Sequence, residues 1–181
     1  MRAINSTITG NSATNRGGAL HMHSSSRRIA LFHVTMVGNI AGNRGGGIDR
    51  DFGRTNIFGS IISGNTAPNE PECAGVSGQG EARNNVFGVD GNNGGGCSNF
   101  GSGSGNVFPT GNLDTIIVNS FGNNGGFTDT YPLAPGSPAI DLNDRALPNE
   151  STINIDVNRD GNIDTDPIDI DQTGDMRVRF N

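Results

Sequence analysis

The residues best suited to chemistry lie near the C-terminus, in "DVNRDGNIDTDPIDID" (residues 156–171), where oxygen-bearing side chains recur at alternate positions. In an EF-hand-type loop, ligands occupy positions 1, 3, 5, 7 and 9, with glycine at 6 and an acid at 12. Here Asp156, Asn158 and Asp160 fill positions 1, 3 and 5, Gly161 fills 6, Asn162 offers its backbone carbonyl at 7, and Asp164 fills 9. Position 12 is Pro167, which cannot chelate, so Asp166 is the expected final ligand. A hard cation wants many oxygens, and without one these carboxylates would repel each other in a tight loop. The loop spanning residues 156–169 is therefore expected to bind Ca²⁺. With no bidentate glutamate, its affinity suits millimolar extracellular calcium.

A second set of polar residues is spread over the N-terminal half. His21 and His23 are two apart, so on a strand they share a face. Asp49, Arg50 and Asp51 follow 28 residues later and are expected to cluster beside them, as a solvated outer face or a glycan-contacting patch. No third metal ligand recurs nearby in sequence, so the histidines, with His33, read as surface or structural residues. No nucleophile elbow, phosphate loop or dinucleotide fingerprint is present, and the glycine-rich tracts lack the strand-to-helix setting those motifs need.

What must position these residues is a repeat. "GNSATNRGGAL" (10–20) returns as "GNIAGNRGGGI" (38–48). Aligning Gly10, Gly38 and Gly64 places "INSTIT", "FHVTMV" and "FGSIIS" in register. Alternate positions then form columns: Ile4/Phe32/Phe58, Ser6/Val34/Ser60 and Ile8/Met36/Ile62 on the inner face. Asn5/His33/Gly59 and Thr7/Thr35/Ile61 fall on the outer face. Leu20, Met22 and Ile48 continue the inner set, and Ile29 and Leu31 lead into the next repeat. Short strands, Gly/Asn corners and no helical periodicity predict a right-handed parallel β-helix of about three to five coils, whose core forms only by stacking. Asn-Arg-Gly-Gly reads as a corner, with Arg16 and Arg44 one above the other on the outer surface. Later, "NNVFG" (84–88) echoes "TNIFG" (55–59), and "GNVFPTGN" (105–112) reads as an irregular coil. Coils are expected over residues 1–120, and an irregular closing segment over 121–181.

Composition narrows the partners. The chain of 181 residues has a net charge of −6, no lysine and only scattered arginines, which disfavours nucleic acid. No apolar run spans a bilayer, and the N-terminus enters strand-like sequence directly, so a secretory signal would lie on a longer precursor. Cys73 and Cys97 sit in Gly/Asn-rich sequence, either as unrelated thiols or as a disulfide. The lysine-free, polar setting favours the disulfide, which would stabilise by roughly 3 kcal/mol and indicate an oxidising compartment.

Several stretches also carry a family resemblance: "NSTITGNSA" and "NRGGGI" in the coils, "NTAPNEPECAG…GC" around the cysteines, "NNGGFTDTYPLAPGSPAID" after them, and "DQTGDMR" near the end. With these the chain resembles bacterial surface proteins with a "choice-of-anchor" C-terminal region, parallel β-helix proteins related to polymorphic outer-membrane-protein repeats. Thr173 stands where that family usually has arginine, and the sequence stops short of an expected Asp-Ile-Gly segment, as a trimmed C-terminal portion would. The resemblance implies secretion or surface display and supplies no catalytic residue.

The resulting expectation is a non-enzymatic extracellular structural or adhesive module, braced by calcium and stacking end-to-end with identical subunits. "MRVRF" near the C-terminus alternates apolar residues with arginine, as a strand donated to a neighbour would. A carbohydrate-active β-helix enzyme and a glycan-binding module are the alternatives. The enzyme would need paired carboxylates free for acid/base work. The binding module would want exposed aromatics, and the chain has no tryptophan and one tyrosine, Tyr131.

Overall fold

The computed structural model describes residues 1–75, 80–88, 96–97, 103–125, 128–140 and 142. Short parallel strands stack as a β-solenoid of three successive coils and part of a fourth. The first coil comprises β1 (Arg2–Thr9), β2 (Ser12–Ala13) and β3 (Leu20–Met22). The second comprises β4 (Arg28–Val37), β5 (Ile40–Ala41) and β6 (Ile48–Arg50). The third holds β7 (Arg54–Phe58), β8 (Ile61–Ile62) and β9 (Cys73–Gly75), and β10 (Gly80–Arg83) and β11 (Val86–Phe87) begin the fourth.

Each strand pairs with its counterpart one coil on. β1 lies against β4, which in turn carries both β7 and β8; these carry β10 and β11. β2 pairs with β5, and β3, β6 and β9 form the third wall. The repeat intervals of 28 and 26 read from the glycines reappear as the register, with Ile8 opposite Met36 and Met36 opposite Ile62.

One feature of the long wall overturns part of the column assignment. Asn5, His33, Gly59 and Asn84 all have positive φ, at 47°, 54°, 56° and 53°. A residue in this left-handed region bends the strand and breaks its period of two. Before the bend, Ala3, Leu31, Ile57 and Ala82 face the main core; after it, Val34, together with Ile8, Met36, Ile62 and Phe87, does so. Ile4, Phe32 and Phe58, expected inside, instead form a separate cluster with Ala30, in which the Phe32 and Phe58 rings stack with centroids 5.3 Å apart. The echo of "TNIFG" in "NNVFG" is likewise out of register, because Phe87 aligns with Ile62, and Phe58 aligns with Arg83.

The Asn-Arg-Gly-Gly corner divides its glycines between two tasks. Gly17 and Gly45 adopt φ of 65° and 64°, which a side chain would resist. Gly18 and Gly46 leave no room for a Cβ against the backbone of the next coil. Arg16 sits over Arg44, as the repeat predicted.

The core is closed at two places outside the coils. Cys73 and Cys97, separated by 24 positions, form a disulfide with Cα atoms 4.8 Å apart, and both belong to the main apolar cluster. After Val107, which bridges to Val86, a 3-10 turn at Leu113–Thr115 introduces a strap along the outer side of the long wall. Ile116 and Ile117 are fully buried against Val37, Ile61 and Val86, so Ile61, assigned by sequence to an outward column, is covered. The strap folds back on itself through bridges Ile117 to Leu133 and Gly122 to Thr130. Tyr131 then places its hydroxyl 3.2 Å from the Thr9 hydroxyl in the first coil.

Candidate functional site

Two arrangements stand out: an ionic cluster on the outside of the β3–β6–β9 wall, and a polar ladder inside the corner after the long wall.

The cluster follows from the register. β3 and β6 pair His21 with Asp49, and one step further Asp51 donates its backbone N–H to Met22 O at 2.9 Å. The histidines and carboxylates therefore share the outer face, and the stacked corners bring Arg16 and Arg44 over them. Arg16 grips Asp51 with two hydrogen bonds, Nη1 to Oδ1 at 2.7 Å and Nη2 to Oδ2 at 3.0 Å. Arg44 Nη2 donates to Asp51 Oδ1 at 2.8 Å, and His23 Nδ1 lies 2.7 Å from Asp51 Oδ2. Burial pushes the Asp51 carboxyl up, but the hydrogen bonds from His23 and Arg16 and the charges of Arg16 and Arg44 together hold it below the usual carboxylate value. The hydrogen bond to Asp51 raises the Arg16 guanidinium in turn.

Asp49 is different. Its side chain is fully buried, with Arg44 Nε 2.9 Å from Oδ1 and His21 Nδ1 2.8 Å from Oδ2. These are ion-pair distances without hydrogen-bond alignment, so both oxygens lie in contact with donors that are not aimed at them. Arg50, expected to join this patch, does not. It registers with Met22 on the opposite face of the strand, is fully buried, and burial lowers its guanidinium. His33 is not on this surface either; it is one of the bend residues and is buried.

The ladder is built by the asparagines of the Gly-Asn pairs. Asn11 donates both its backbone N–H and Nδ2 to Asn39 Oδ1, at 3.1 and 2.9 Å. Asn39 does the same to Asn65 Oδ1, at 3.1 and 2.8 Å. Asn65 donates Nδ2 to Glu72 Oε2 at 2.6 Å, and Gly64 N–H reaches Glu72 Oε1 at 2.7 Å. Glu72 thus takes the place of a further asparagine. Burial pushes its carboxyl up to about 7, against these donors, which favour the carboxylate. Nothing in the repeat marked Glu72 for this task; its place beside Cys73 was the one clue.

The predicted calcium ligands Asp156, Asn158, Asp160, Asn162, Asp164 and Asp166 lie outside the described residues, as do "DQTGDMR" and "MRVRF". Among the described residues no helix is long and apolar enough to cross a membrane, which says nothing of a β-barrel.

No protein-family model, curated protein or solved structure matches the chain.

Proposed function

We propose that the chain is a non-enzymatic structural or adhesive module of an extracellular bacterial surface protein, and that its coils stack on further coils of the same kind. One observation carries this reading. Parallel strand pairing and the asparagine ladder join the first coil to the second, and the second to the third, by the same contacts at each step. A further coil of the same kind would be held by the same contacts.

The asparagine-to-asparagine bonds have a polarity, because Asn11 and Asn39 each donate to the amide oxygen of the asparagine one coil on. A coil docking on β1 with its own asparagine would donate to Asn11 in the same sense. Identical subunits joined head-to-tail make a heterologous contact, which propagates into a filament. The disulfide and the family resemblance support secretion or surface display, and the loop at 156–169 supplies the calcium brace. The ionic cluster favours this reading over a carbohydrate-active enzyme, because arginines engage both carboxylates of the patch and neither is left free as a general acid or base.

Light scattering and electron microscopy over a concentration series test the assembly. Linear arrays with the coil axis along the array are expected, and dispersed monomers at every concentration would remove it. Calcium at millimolar levels should raise the melting temperature; no shift would remove the brace alone. Turnover of a uronate polysaccharide, screened with and without calcium, would replace the structural reading with the enzymatic one.

A further inference from the structure

The outer wall brings together what the sequence leaves apart. His21 and His23 project from one face of β3, with ring centroids 6.1 Å apart and planes 23° from parallel. The coil above contributes Asp51, and one ligand atom from each of the three lies within 4.8 Å of the other two. We propose that His21, His23 and Asp51 form a binding site for a borderline transition metal ion, Zn²⁺, Cu²⁺ or Ni²⁺, open to solvent on its remaining positions.

Three observations support it. The first is the backing of His21. Its Nδ1 faces the fully buried Asp49 at 2.8 Å, the carboxylate-behind-imidazole arrangement that fixes a metal-binding tautomer and directs Nε2 outwards. Asp49 itself is a buried carboxylate with neither oxygen in an aligned hydrogen bond, so it has acceptor capacity for a firmly held Nδ1–H. The second is spacing. Ligands around a tetrahedral zinc with bonds of about 2.05 Å stand about 3.3 Å apart. His23 Nδ1 and Asp51 Oδ2 are joined by a 2.7 Å hydrogen bond, which a metal between them would replace at only slightly greater separation, and His23, with 72% of its side chain exposed, has room for that small adjustment. The third is charge. Arg16 and Arg44 offset Asp49 and Asp51, so the patch exerts little net field on a cation. Affinity would come from the imidazoles, which suit zinc, copper and nickel, and not from the oxygen-rich field that calcium and magnesium need. The site is thereby distinct in kind from the acidic loop.

Isothermal titration of the untagged full chain with Zn²⁺ and Ni²⁺, in excess calcium to occupy the acidic loop, provides the test. One equivalent of transition metal should bind with weak dependence on salt. His23→Ala should lower the affinity at least 10-fold, and His21→Ala/His23→Ala should abolish binding at this site. Copper in the wild-type chain should give an electron paramagnetic resonance spectrum with hyperfine splitting from two imidazole nitrogens, reduced to one in His23→Ala. A double variant that melts like the wild type and binds the metals equally well would overturn the proposal. So would a wild-type chain that takes up no transition metal below millimolar concentrations.

Discussion

Two columns of asparagine run along the same solenoid, one rung per coil, and they have different consequences. Asn11, Asn39 and Asn65 stack with side-chain bonds of 2.8 to 2.9 Å, and the chain of donors ends on a buried carboxylate. Asn15, Asn43 and Asn69 stack with the donors reversed, each later asparagine donating back to the one before, and their side-chain contacts are 3.4 Å at both steps and open to water. The residue type and the spacing are the same. What differs is the dielectric and the alternative available to each amide. An exposed amide exchanges its neighbour for water at little cost, whereas a buried one has no other partner.

Substitution along each column is the sharpest way to break the comparison. Asn39 is fully buried and its Nδ2 also serves the carbonyls of Ile8 and Val37. Asn39→Ala should therefore cost roughly 4 kcal/mol in denaturant unfolding, from several lost buried hydrogen bonds. A cost below about 1 kcal/mol would mean that water enters the corner and the ladder is ornamental.

The next effect concerns how the buried column ends. The Glu72 carboxyl is raised from 4.5 to about 7 in the folded chain, so the folded state binds its proton more tightly than the unfolded state. Its contribution is complete below about 4.5 and is lost as pH rises to about 7, a decline of up to about 3 kcal/mol. Glu72→Gln keeps an acceptor without the titration, and its stability should stay flat through this window. A wild-type chain with the same flat profile would show that the donors, and not desolvation, govern the carboxyl.

Removing the disulfide by Cys97→Ser, a change beside this cap, should cost about 3 kcal/mol if closure of the 24-residue loop acts through the unfolded chain. Because Cys73 adjoins Glu72, the same variant should also shift the pH profile. An unaltered profile would show that the ladder holds its own terminus.

The smallest effect belongs to the exposed column. Asn43→Ala should change stability by less than about 0.5 kcal/mol, and a larger loss would erase the distinction between the two columns.

How much of this could be read from the sequence varies with the physics of each residue. The coils were legible because Gly10, Gly38 and Gly64 recur at the stacking interval, and their φ values of 69°, 68° and 72° explain why glycine recurs. The pairing of His21 and His23 with the Asp49–Asp51 segment was legible by the same arithmetic, as was the stacking of Arg16 over Arg44. The bend was not. Its four positions hold two asparagines, a histidine and a glycine; each of these tolerates positive φ better than most residues, but no single residue type recurs to announce the bend. Counting by twos across it sent Ile4, Phe32 and Phe58 to the wrong side. The inward asparagines were hidden for a related reason: Gly-Asn has the composition of a turn, and composition does not say which way an amide points.

The contact between Tyr131 and Thr9 joins positions 122 apart, and it has a consequence in time. A bare solenoid can form coil by coil as the chain emerges, because each coil needs only the one before it. Here the first strand pairs at once with the second coil, but its Thr9 hydroxyl meets a partner made two-thirds of the chain later. Closing so long a loop slows folding, and until then the wall under Ile116 and Ile117 stays uncovered.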